Sequence, residues 1–285
     1  MNICPHRTTM KLYLKTKDFT VSKEHFELHW DEALDMLITV PQPSYLNPYY
    51  ESEDYISHTD ARTSFTDRIY QAVKRVNLRK KIQLVDNQID KKISLLDVGA
   101  GTGDFLAVAQ KAGYEITGVE PSPKARQQAS NKGINLLTDL KQLEGRKFAA
   151  ITLWHVLEHL PNLEEQIKTI TLLLEEDGVL VVAVPNFKSF DAKHYGMYWA
   201  GYDVPRHLWH FSKTAIAQLF DRRGMEVIAI RPMLFDAFYV SLLSEKYKGN
   251  KLRLVRAFFI GLWSNLTAMR TKEYSSLIYI VKRKK

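Results

Sequence analysis

Three glycines at alternate positions, Gly99, Gly101 and Gly103, constrain this chain more than any other feature. An apolar run that ends in Asp97 precedes them, and a helix-forming stretch, residues 105–111, follows. An apolar strand, a tight glycine turn and a helix N-terminus together bring bare backbone against a nucleotide-like ligand. Glycine suits such a turn because it reaches unusual φ values and has no side chain to collide with the ligand. The pattern therefore predicts a buried parallel strand with a ligand site at its end.

A second acidic residue narrows the choice of ligand. Glu120 ends the next apolar run, residues 116–119, and a carboxylate at the tip of a second strand is placed to accept ribose hydroxyls. A dinucleotide fingerprint needs a small residue three positions after Gly101, where this chain has Asp104. A carboxylate beside a helix N-terminus would repel a pyrophosphate that the helix dipole should hold. The spacing therefore disfavours a dinucleotide.

The order acid-x-Gly-x-Gly-x-Gly at residues 97–103 resembles motif I of the class I S-adenosylmethionine-dependent methyltransferases. Residues 154–159, Trp-His-Val-Leu-Glu-His, look like a segment of the broad bacterial group that includes the ubiquinone-pathway O-methyltransferases. Residues 182–186 match the fifth strand of that group, whereas Ala149 stands where the group usually has Asp. The resemblance covers residues 93–190 well and the last two strands loosely.

This resemblance implies an α/β fold with a Rossmann-like, seven-stranded methyltransferase sheet, its last strand antiparallel, and helices on both faces. It also implies methyl transfer from S-adenosylmethionine, whose structure carries no phosphate. The residues that it places in the cofactor site are Asp97, Gly99, Ala100, Gly101, Gly103 and Glu120.

Strand and helix patterns alternate along the centre of the chain. The strands are predicted at residues 93–98, 115–120, 134–138, 149–154, 179–184, 226–231 and 275–281. Helical spacing between successive runs implies a parallel sheet that is covered on both faces. The sequence therefore predicts an α/β core over residues 93–232 and 275–285.

The segments around this core are predicted as additions to it. Residues 1–62 form an N-terminal extension with short strands at 20–21 and 26–29. The methyltransferase domain, residues 63–285, begins with a helix at 63–85 that packs over the cofactor site. A helical insertion, residues 233–274, separates strands six and seven.

The carboxyl ends of the strands are predicted to carry the remaining site residues, because ligands of open parallel sheets bind there. Trp154 and His155 follow the fourth strand, so we expect them to reach the cofactor and the methyl acceptor. Asp139 is the only acidic residue near the end of the third strand, and it is a candidate contact for the adenine amine.

Four histidines are candidate bases. Methyl transfer needs alignment and exclusion of water, and a base only where the acceptor loses a proton, as a hydroxyl does. The candidates are His155, His159, His207 and His210. Glu158 and His159 resemble the Glu-His pair of the ubiquinone-pathway enzymes, which can sit near a divalent metal. The alternative, in which this pair only caps the following helix, is favoured, and no metal is assigned.

The segment at residues 198–211 is dense in polar aromatic side chains and follows the fifth strand. Loops at this edge commonly serve a substrate, so Asp203, Arg206 and His207 are predicted to act on the acceptor. The alternative is an ordered loop in which Arg206 pairs with Asp203.

The positive charge of the chain is concentrated near its end. The net charge is +8, and residues 241–285 hold eleven Lys or Arg against two Glu. Within this part, residues 251–266 have the pattern of a basic amphipathic helix. Such a helix either contacts a membrane surface, covers an anionic substrate or packs on its own domain, and the last is favoured. No specific nucleic-acid partner is predicted, because the charge belongs to one segment.

These observations predict an S-adenosylmethionine-dependent methyltransferase that acts on a small-molecule or lipid-linked acceptor. The acceptor atom is oxygen, with nitrogen or carbon as alternatives. The start of the chain has no apolar stretch like a signal peptide and Cys4 is the one cysteine, so we expect a cytoplasmic protein. A non-catalytic adenosylmethionine-binding protein and a nicotinamide-dependent oxidoreductase are the alternative functions.

Overall fold

A computed structural model describes residues 10–50, 65–89 and 94–285 of the chain. Cys4, residues 63–64 of the predicted first helix and residue 93 of the first predicted strand lie outside these ranges. The strands are β1 (Lys11–Lys17), β2 (His25–Asp31), β3 (Met36–Val40), β4 (Ser94–Val98), β5 (Glu115–Val119), β6 (Phe148–Trp154), β7 (Leu174–Pro185), β8 (Trp209–His210), β9 (Met225–Pro232) and β10 (Ser276–Arg283). The helices are α1 (Phe65–Asp86), α2 (Asp104–Lys111), α3 (Pro123–Ser130), α4 (Leu163–Leu172), α5 (Phe190–Tyr195), α6 (Lys213–Asp221), α7 (Asp236–Tyr247) and α8 (Arg253–Thr271).

The main sheet has the strand order β5-β4-β6-β7-β10-β9. Strand β4 is parallel to β5 and β6, and β6 is parallel to β7. The last strand, β10, runs antiparallel to β7 and β9. The predicted Rossmann-like sheet with an antiparallel last strand is therefore confirmed.

The third predicted strand, residues 134–138, contributes only one parallel bridge, between Leu137 and Val119. Leu137 donates its N–H to the Gly118 carbonyl over 2.9 Å, so one residue pairs as a strand would. The pairing ends there because Asp139 starts a 3₁₀ turn, Leu140–Leu143, and caps it with its side chain. The main sheet thus has six strands and this bridge within the described residues.

Alternate residues of the central strands pack into two separate cores. Leu96 and Ile151 belong to the core on one face of the sheet, with Leu180. Leu95 and Ala150, their neighbours in sequence, belong to the core on the opposite face. Because both faces are buried, these strands read as continuous apolar runs, which is why the sequence predicts them well.

The N-terminal extension forms a second sheet with the order β1-β2-β3-β8. Its antiparallel strand β8 comes from the segment after β7, which the sequence had assigned to the acceptor. The predicted strand at 26–29 lies within β2, but the one at 20–21 is wrong. Those residues form a turn, because the Asp18 carboxylate accepts hydrogen bonds from the N–H groups of Thr20 and Ser22 at 2.9 and 2.8 Å.

The predicted helical insertion consists of α7 and α8, between β9 and β10. Helix α8 packs on its own domain, as the favoured expectation has it, but most of its large apolar side chains do not make the contact. Small residues make that contact instead, and Phe259 and Trp263 are 61% and 58% exposed. Among the residues that the structure describes, no helix combines the length and the apolarity that crossing a bilayer requires.

Candidate functional site

The glycine turn joins β4 to α2 at the carboxyl edge of the main sheet. A Cβ atom at Gly99 would lie 2.4 Å from Val156, and one at Gly103 would lie 3.1 Å from Ala129. Gly101 differs, because a Cβ there would meet nothing within 4 Å, and its φ is +53°. Two of the glycines therefore permit close packing within the protein, whereas the backbone of Gly101 borders open space.

Asp97 ends the strand beneath this turn and is 3% exposed. Burial raises the pKa of Asp97 to about 7, although the Thr152 hydroxyl donates a hydrogen bond to it over 2.6 Å and Lys81 also opposes the shift. Lys81 projects from α1, and its Nζ lies 4.2 Å from the centre of the Trp154 ring. The structure thus places α1 beside the glycine turn, where the sequence predicts it.

Glu120 is held against the glycine turn by backbone groups. Its carboxylate accepts hydrogen bonds from the N–H of Gly101 over 2.9 Å and of Ser122 over 2.8 Å. Ala100 ties the turn to the neighbouring strand through its N–H, which donates to the Val119 carbonyl over 3.0 Å. The predicted ribose contact of Glu120 stays a prediction.

Two acidic residues on which predictions depend, Asp104 and Asp139, make contacts that the sequence did not indicate. Asp104 forms ion pairs with Lys74 and Lys132 at 2.7 and 2.9 Å. This pairing offsets the repulsion of phosphate on which the argument against a dinucleotide depended. Asp139 accepts a hydrogen bond from the N–H of Lys141 over 2.8 Å, and its contact with adenine stays a prediction.

His155 lies between two carboxylates directly after β6. Its Nε2 is 3.1 Å from Asp236 Oδ2, and its Nδ1 is 3.4 Å from Glu158 Oε1. Burial alone would lower the pKa of His155, but the neighbouring carboxylates of Asp236 and Glu158 raise it to about 10. The imidazole therefore carries a proton at neutral pH in this arrangement, and its role as a base stays a prediction.

A buried carboxylate faces two further imidazoles. Glu158 is 1% exposed, and neither of its oxygens accepts a conventional hydrogen bond from the described residues. The rings of His159 and His207 lie 4.5 Å apart, nearly perpendicular. One ligand atom from each of the three residues lies within 4.8 Å of the others, which suits a shared proton or a divalent cation.

Backbone carbonyls set the tautomers of these two histidines. His159 Nδ1 is 3.0 Å from the Arg206 carbonyl, and His207 Nδ1 is 3.0 Å from the Gly201 carbonyl. A carbonyl only accepts, so each Nδ1 donates and each Nε2 keeps its lone pair. Burial and the neighbouring His207 lower the pKa of His159 to about 4, so it is neutral at pH 7.

Arg206 is 1% exposed, and its guanidinium donates hydrogen bonds to groups of the protein itself. It donates hydrogen bonds to Asp203 over 2.6 Å, to Asp18 over 3.0 Å and to the Tyr49 carbonyl over 2.9 Å. The contacts correspond to the alternative in which an Asp203–Arg206 pair orders the loop. A direct contact of Asp203 or Arg206 with the acceptor stays a prediction.

His210, the fourth candidate base, is also enclosed. It is 4% exposed, and its Nε2 lies 3.0 Å from the Thr39 hydroxyl. Burial and the neighbouring His207 hold the pKa of His210 well below its ordinary value. Its strand, β8, pairs with β3 of the extension sheet.

Sequence reasoning missed three residues that the structure brings to this site. Asp236 starts α7 and binds His155, Lys81 lies over Trp154, and the Tyr50 hydroxyl lies 3.0 Å from His159 Nδ1. Tyr50 belongs to the 3₁₀ turn Asn47–Tyr50. Nothing local marks any of the three as a site residue.

One protein family and two relatives resemble this chain in sequence. The profile of a family described as a methyltransferase domain matches residues 70–230, more than half of the chain. An uncharacterized methyltransferase of Alkaliphilus oremlandii (strain OhILAs) is 31% identical over 116 residues, 36% of this chain and 51% of that protein. A ubiquinone biosynthesis O-methyltransferase of Actinobacillus pleuropneumoniae serotype 7 (strain AP76) is 32% identical over 118 residues, 36% of this chain and 50% of that protein. The chain therefore spans about half the length of these relatives.

A solved structure shares the fold over most of its length. Magnesium protoporphyrin IX methyltransferase from Synechocystis PCC 6803, with bound SAH, superposes with a TM-score of 0.55. It is 14% identical, and the match covers 82% of this chain and 96% of that one. At this identity the likeness concerns the fold alone.

Proposed function

This chain belongs to the methyltransferase-domain family, within the class I S-adenosylmethionine-dependent enzymes, and we propose that it methylates a hydroxyl oxygen of a small-molecule or lipid-linked acceptor. The observation that carries the choice of oxygen is the Glu158–His159–His207 cluster, since transfer to a hydroxyl needs a group that takes its proton. A neutral amine nitrogen attacks through its own lone pair, so it depends less on a neighbouring base than a hydroxyl does. Family membership excludes the nicotinamide-dependent oxidoreductase.

We assign the open space beside Gly101 to the adenosyl cofactor. S-adenosylmethionine supplies a methyl carbon that its sulfonium activates, so the protein contributes alignment and exclusion of water. The proposed cofactor contacts are Asp97, Gly99, Ala100, Gly101, Gly103, Glu120, Asp139, Trp154 and His155.

His159 is the base that the geometry favours. It is partly exposed, it is neutral at pH 7 and its Nε2 keeps a lone pair, whereas His155 is protonated and His207 is 8% exposed. Burial would raise the pKa of Glu158, but His155 and His207 hold it below its ordinary value, so the carboxylate stays charged. Its negative charge stabilises the imidazolium that forms when His159 accepts the proton. We assign Asp203 and Arg206 to positioning this loop.

A divalent cation is the second candidate for the same cluster, because an oxygen ligand and two imidazole nitrogens converge there. Glu158, His159 and His207 would hold the ion, and the ion would lower the pKa of the acceptor hydroxyl. Chelation and readdition of Mg²⁺ or Zn²⁺ in the activity assay distinguish a cation from the histidine base.

We expect Gly101→Arg to weaken S-adenosylmethionine binding by at least about 100-fold, because the new side chain fills the open space beside the turn. The left-handed φ of Gly101 costs only about 1–2 kcal/mol in a substituted residue, so the variant should fold. Gly224→Arg is the matched control, since Gly224 also has a positive φ, of 68°, and open surroundings but lies before β9 at the opposite edge. Calorimetric titration with S-adenosylmethionine, S-adenosylhomocysteine and NADH measures the effect. Absence of binding by the folded wild type would contradict the cofactor assignment.

Cofactor affinity should rise with pH up to about 7 and then level off. The pKa of Asp97 is about 7 in the free protein, so the residue carries its charge only above that pH. A cationic ligand favours the carboxylate, and binding then releases a proton, which strengthens binding by up to about tenfold per pH unit below 7. Titrations across this range measure the slope, and Asp97→Asn should remove it. An unchanged slope in that variant would assign the proton to another group.

Incubation with S-adenosylmethionine carrying a labelled methyl group and with metabolite or lipid extracts tests turnover. Label in an alkali-stable ether or an ester would support an oxygen acceptor. Cofactor binding without transfer to any extract would favour the non-catalytic alternative.

A further inference from the structure

In helix α8 small side chains line the face that packs on the protein, and most of the large apolar side chains lie on the exposed face. This is the reverse of the arrangement expected of a packed helix. The fully buried residues of the face that contacts the protein are Ala257, Gly261, Ser264 and Ala268, and Ile260 is a large side chain that packs inward beside them. A Cβ at Gly261 would lie 2.8 Å from Phe238 of α7, so the two helices touch closely. A helix of a soluble domain normally directs its large apolar residues inward, and this one directs most of them outward.

The outward face is a broad apolar surface. Leu254, Phe259 and Trp263 are 69%, 61% and 58% exposed, and Phe235 and Tyr239 at the start of α7 are 45% and 51% exposed. The further exposed members on α8 are Val255, Phe258, Leu262, Leu266 and Met269. We call these ten residues the α7–α8 surface. Exposed patches of this kind mark sites of interaction with a protein or a membrane.

Positive charge surrounds the α7–α8 surface. Residues 246–272 contain seven Lys or Arg and no Asp or Glu. Lys251 and Arg253 are exposed at the start of α8, and Arg270 and Lys272 are exposed at its end. A helix with an apolar stripe and cations at both ends suits an interface whose interior is apolar and whose rim is anionic.

The α7–α8 surface also adjoins the candidate site. Phe235 belongs to the surface, and the next residue, Asp236, lies 3.1 Å from His155. Lys80 of α1 lies 5.7 Å from the centre of the Phe235 ring, at the same border. A partner or membrane that binds this surface at Phe235 therefore lies next to the carboxyl edge of the main sheet.

We propose that the α7–α8 surface docks on the face of an anionic phospholipid bilayer, with α8 lying in the plane of the headgroups. Lipid chains accept the exposed apolar side chains, and anionic headgroups neutralise the flanking cations. A second copy of the chain offers the same cations and would be repelled, so charge complementarity favours the bilayer. This docking goes beyond methyl transfer, and only its corollary, that the acceptor reaches the site from the bilayer, rests on the proposed function.

Trp263 reports directly on the docking, because it is the one tryptophan on the α7–α8 surface. The full chain is mixed at low salt with vesicles of phosphatidylcholine alone or of phosphatidylcholine with phosphatidylglycerol. Co-sedimentation should require phosphatidylglycerol and decline with added salt, and brominated lipid should quench fluorescence. Trp263→Phe should abolish this quenching, since the other tryptophans lie off the surface.

Variants identify the surface that binds. Phe259→Ser and the pair Lys251→Glu with Arg253→Glu should each reduce vesicle affinity by about tenfold or more. Leu172→Ser is the matched control, because Leu172 is 58% exposed at the end of α4 and should have no effect. Analytical ultracentrifugation of the same samples detects self-association, and cofactor titration of each variant shows that the fold is intact.

Absence of binding to anionic vesicles at low salt by the folded protein would overturn the proposal. So would a dimer that Phe259→Ser dissociates, because a second copy would then cover the surface. Equal binding to neutral vesicles would remove the electrostatic part. Each readout is independent of turnover, so failure of docking and failure of the methyltransferase assignment remain distinguishable.

Discussion

Replacing His159 with alanine is expected to lower kcat by about 10²- to 10⁴-fold and to leave the cofactor Kd unchanged. The variant loses the partly exposed imidazole whose pKa of about 4 keeps it neutral at pH 7. The variant also removes the imidazole that Glu158 would stabilise once it had accepted the proton. Steady-state rates at saturating cofactor, with any acceptor found in the extract screen, measure the effect.

His29→Ala is the matched control for this prediction. His29 pairs with Glu27 in the extension sheet at 2.8 Å, away from the carboxyl edge of the main sheet, and its loss should leave kcat unchanged. His155→Gln adds a contrast, because His155 is protonated and should affect cofactor or acceptor binding more than proton transfer. An unchanged kcat in His159→Ala would exclude His159 as base and as metal ligand. Loss of wild-type activity on chelation would select the ligand role.

Arg206→Met is expected to lower the free energy of unfolding by about 3–5 kcal/mol, because it leaves a buried carboxylate, Asp18, and a partly buried one, Asp203, without their cation. Asp18 is 0% exposed, and Asp203 is held by two hydrogen bonds from the same guanidinium. Denaturant unfolding at neutral pH measures the loss. Arg222→Met is the matched control, because its ion pair with Glu164 is 47% and 41% exposed and is worth less than about 1 kcal/mol.

The pH dependence of this effect has a definite sign. Burial would raise the pKa values of Asp18 and Asp203, but Arg206 lowers both below their ordinary values. A lowered folded-state pKa adds stability above the unfolded pKa, about 4, and this stability is lost as pH falls through the folded value. The difference between wild type and Arg206→Met should therefore shrink on acidification below about pH 4. A difference under about 1 kcal/mol at neutral pH would show that the carboxylates find other partners.

Local patterns were sufficient for the core of the fold. Strands β4, β6 and β7 are buried on both faces, so their apolar runs are visible in the sequence without knowledge of their neighbours. The third predicted strand illustrates the limit of that reasoning. Its residues are apolar, but the cap that Asp139 places on the following turn ends the pairing after Leu137.

The candidate site was predictable only where its residues are close in sequence. Gly101 and Glu120 follow the ends of β4 and β5, and they meet because these two strands are adjacent and parallel. Asp236 reaches His155 from the insertion, and Asp18 reaches Arg206 across 188 positions of sequence. The raised pKa of His155 depends in part on Asp236, and no residue near His155 in sequence indicates that contact.

The sequence by itself determined the parallel sheet, the glycine turn and the family, because strand periodicity, backbone conformation and motif spacing are local properties of the chain. Tertiary structure alone decided which charges meet and which faces are covered. Helix α8 shows the difference, because its periodicity is amphipathic but packing against Phe238 selects the small face as the buried one. Burial and electrostatics depend on neighbours that folding brings from distant positions, so they could not be read from the order of residues.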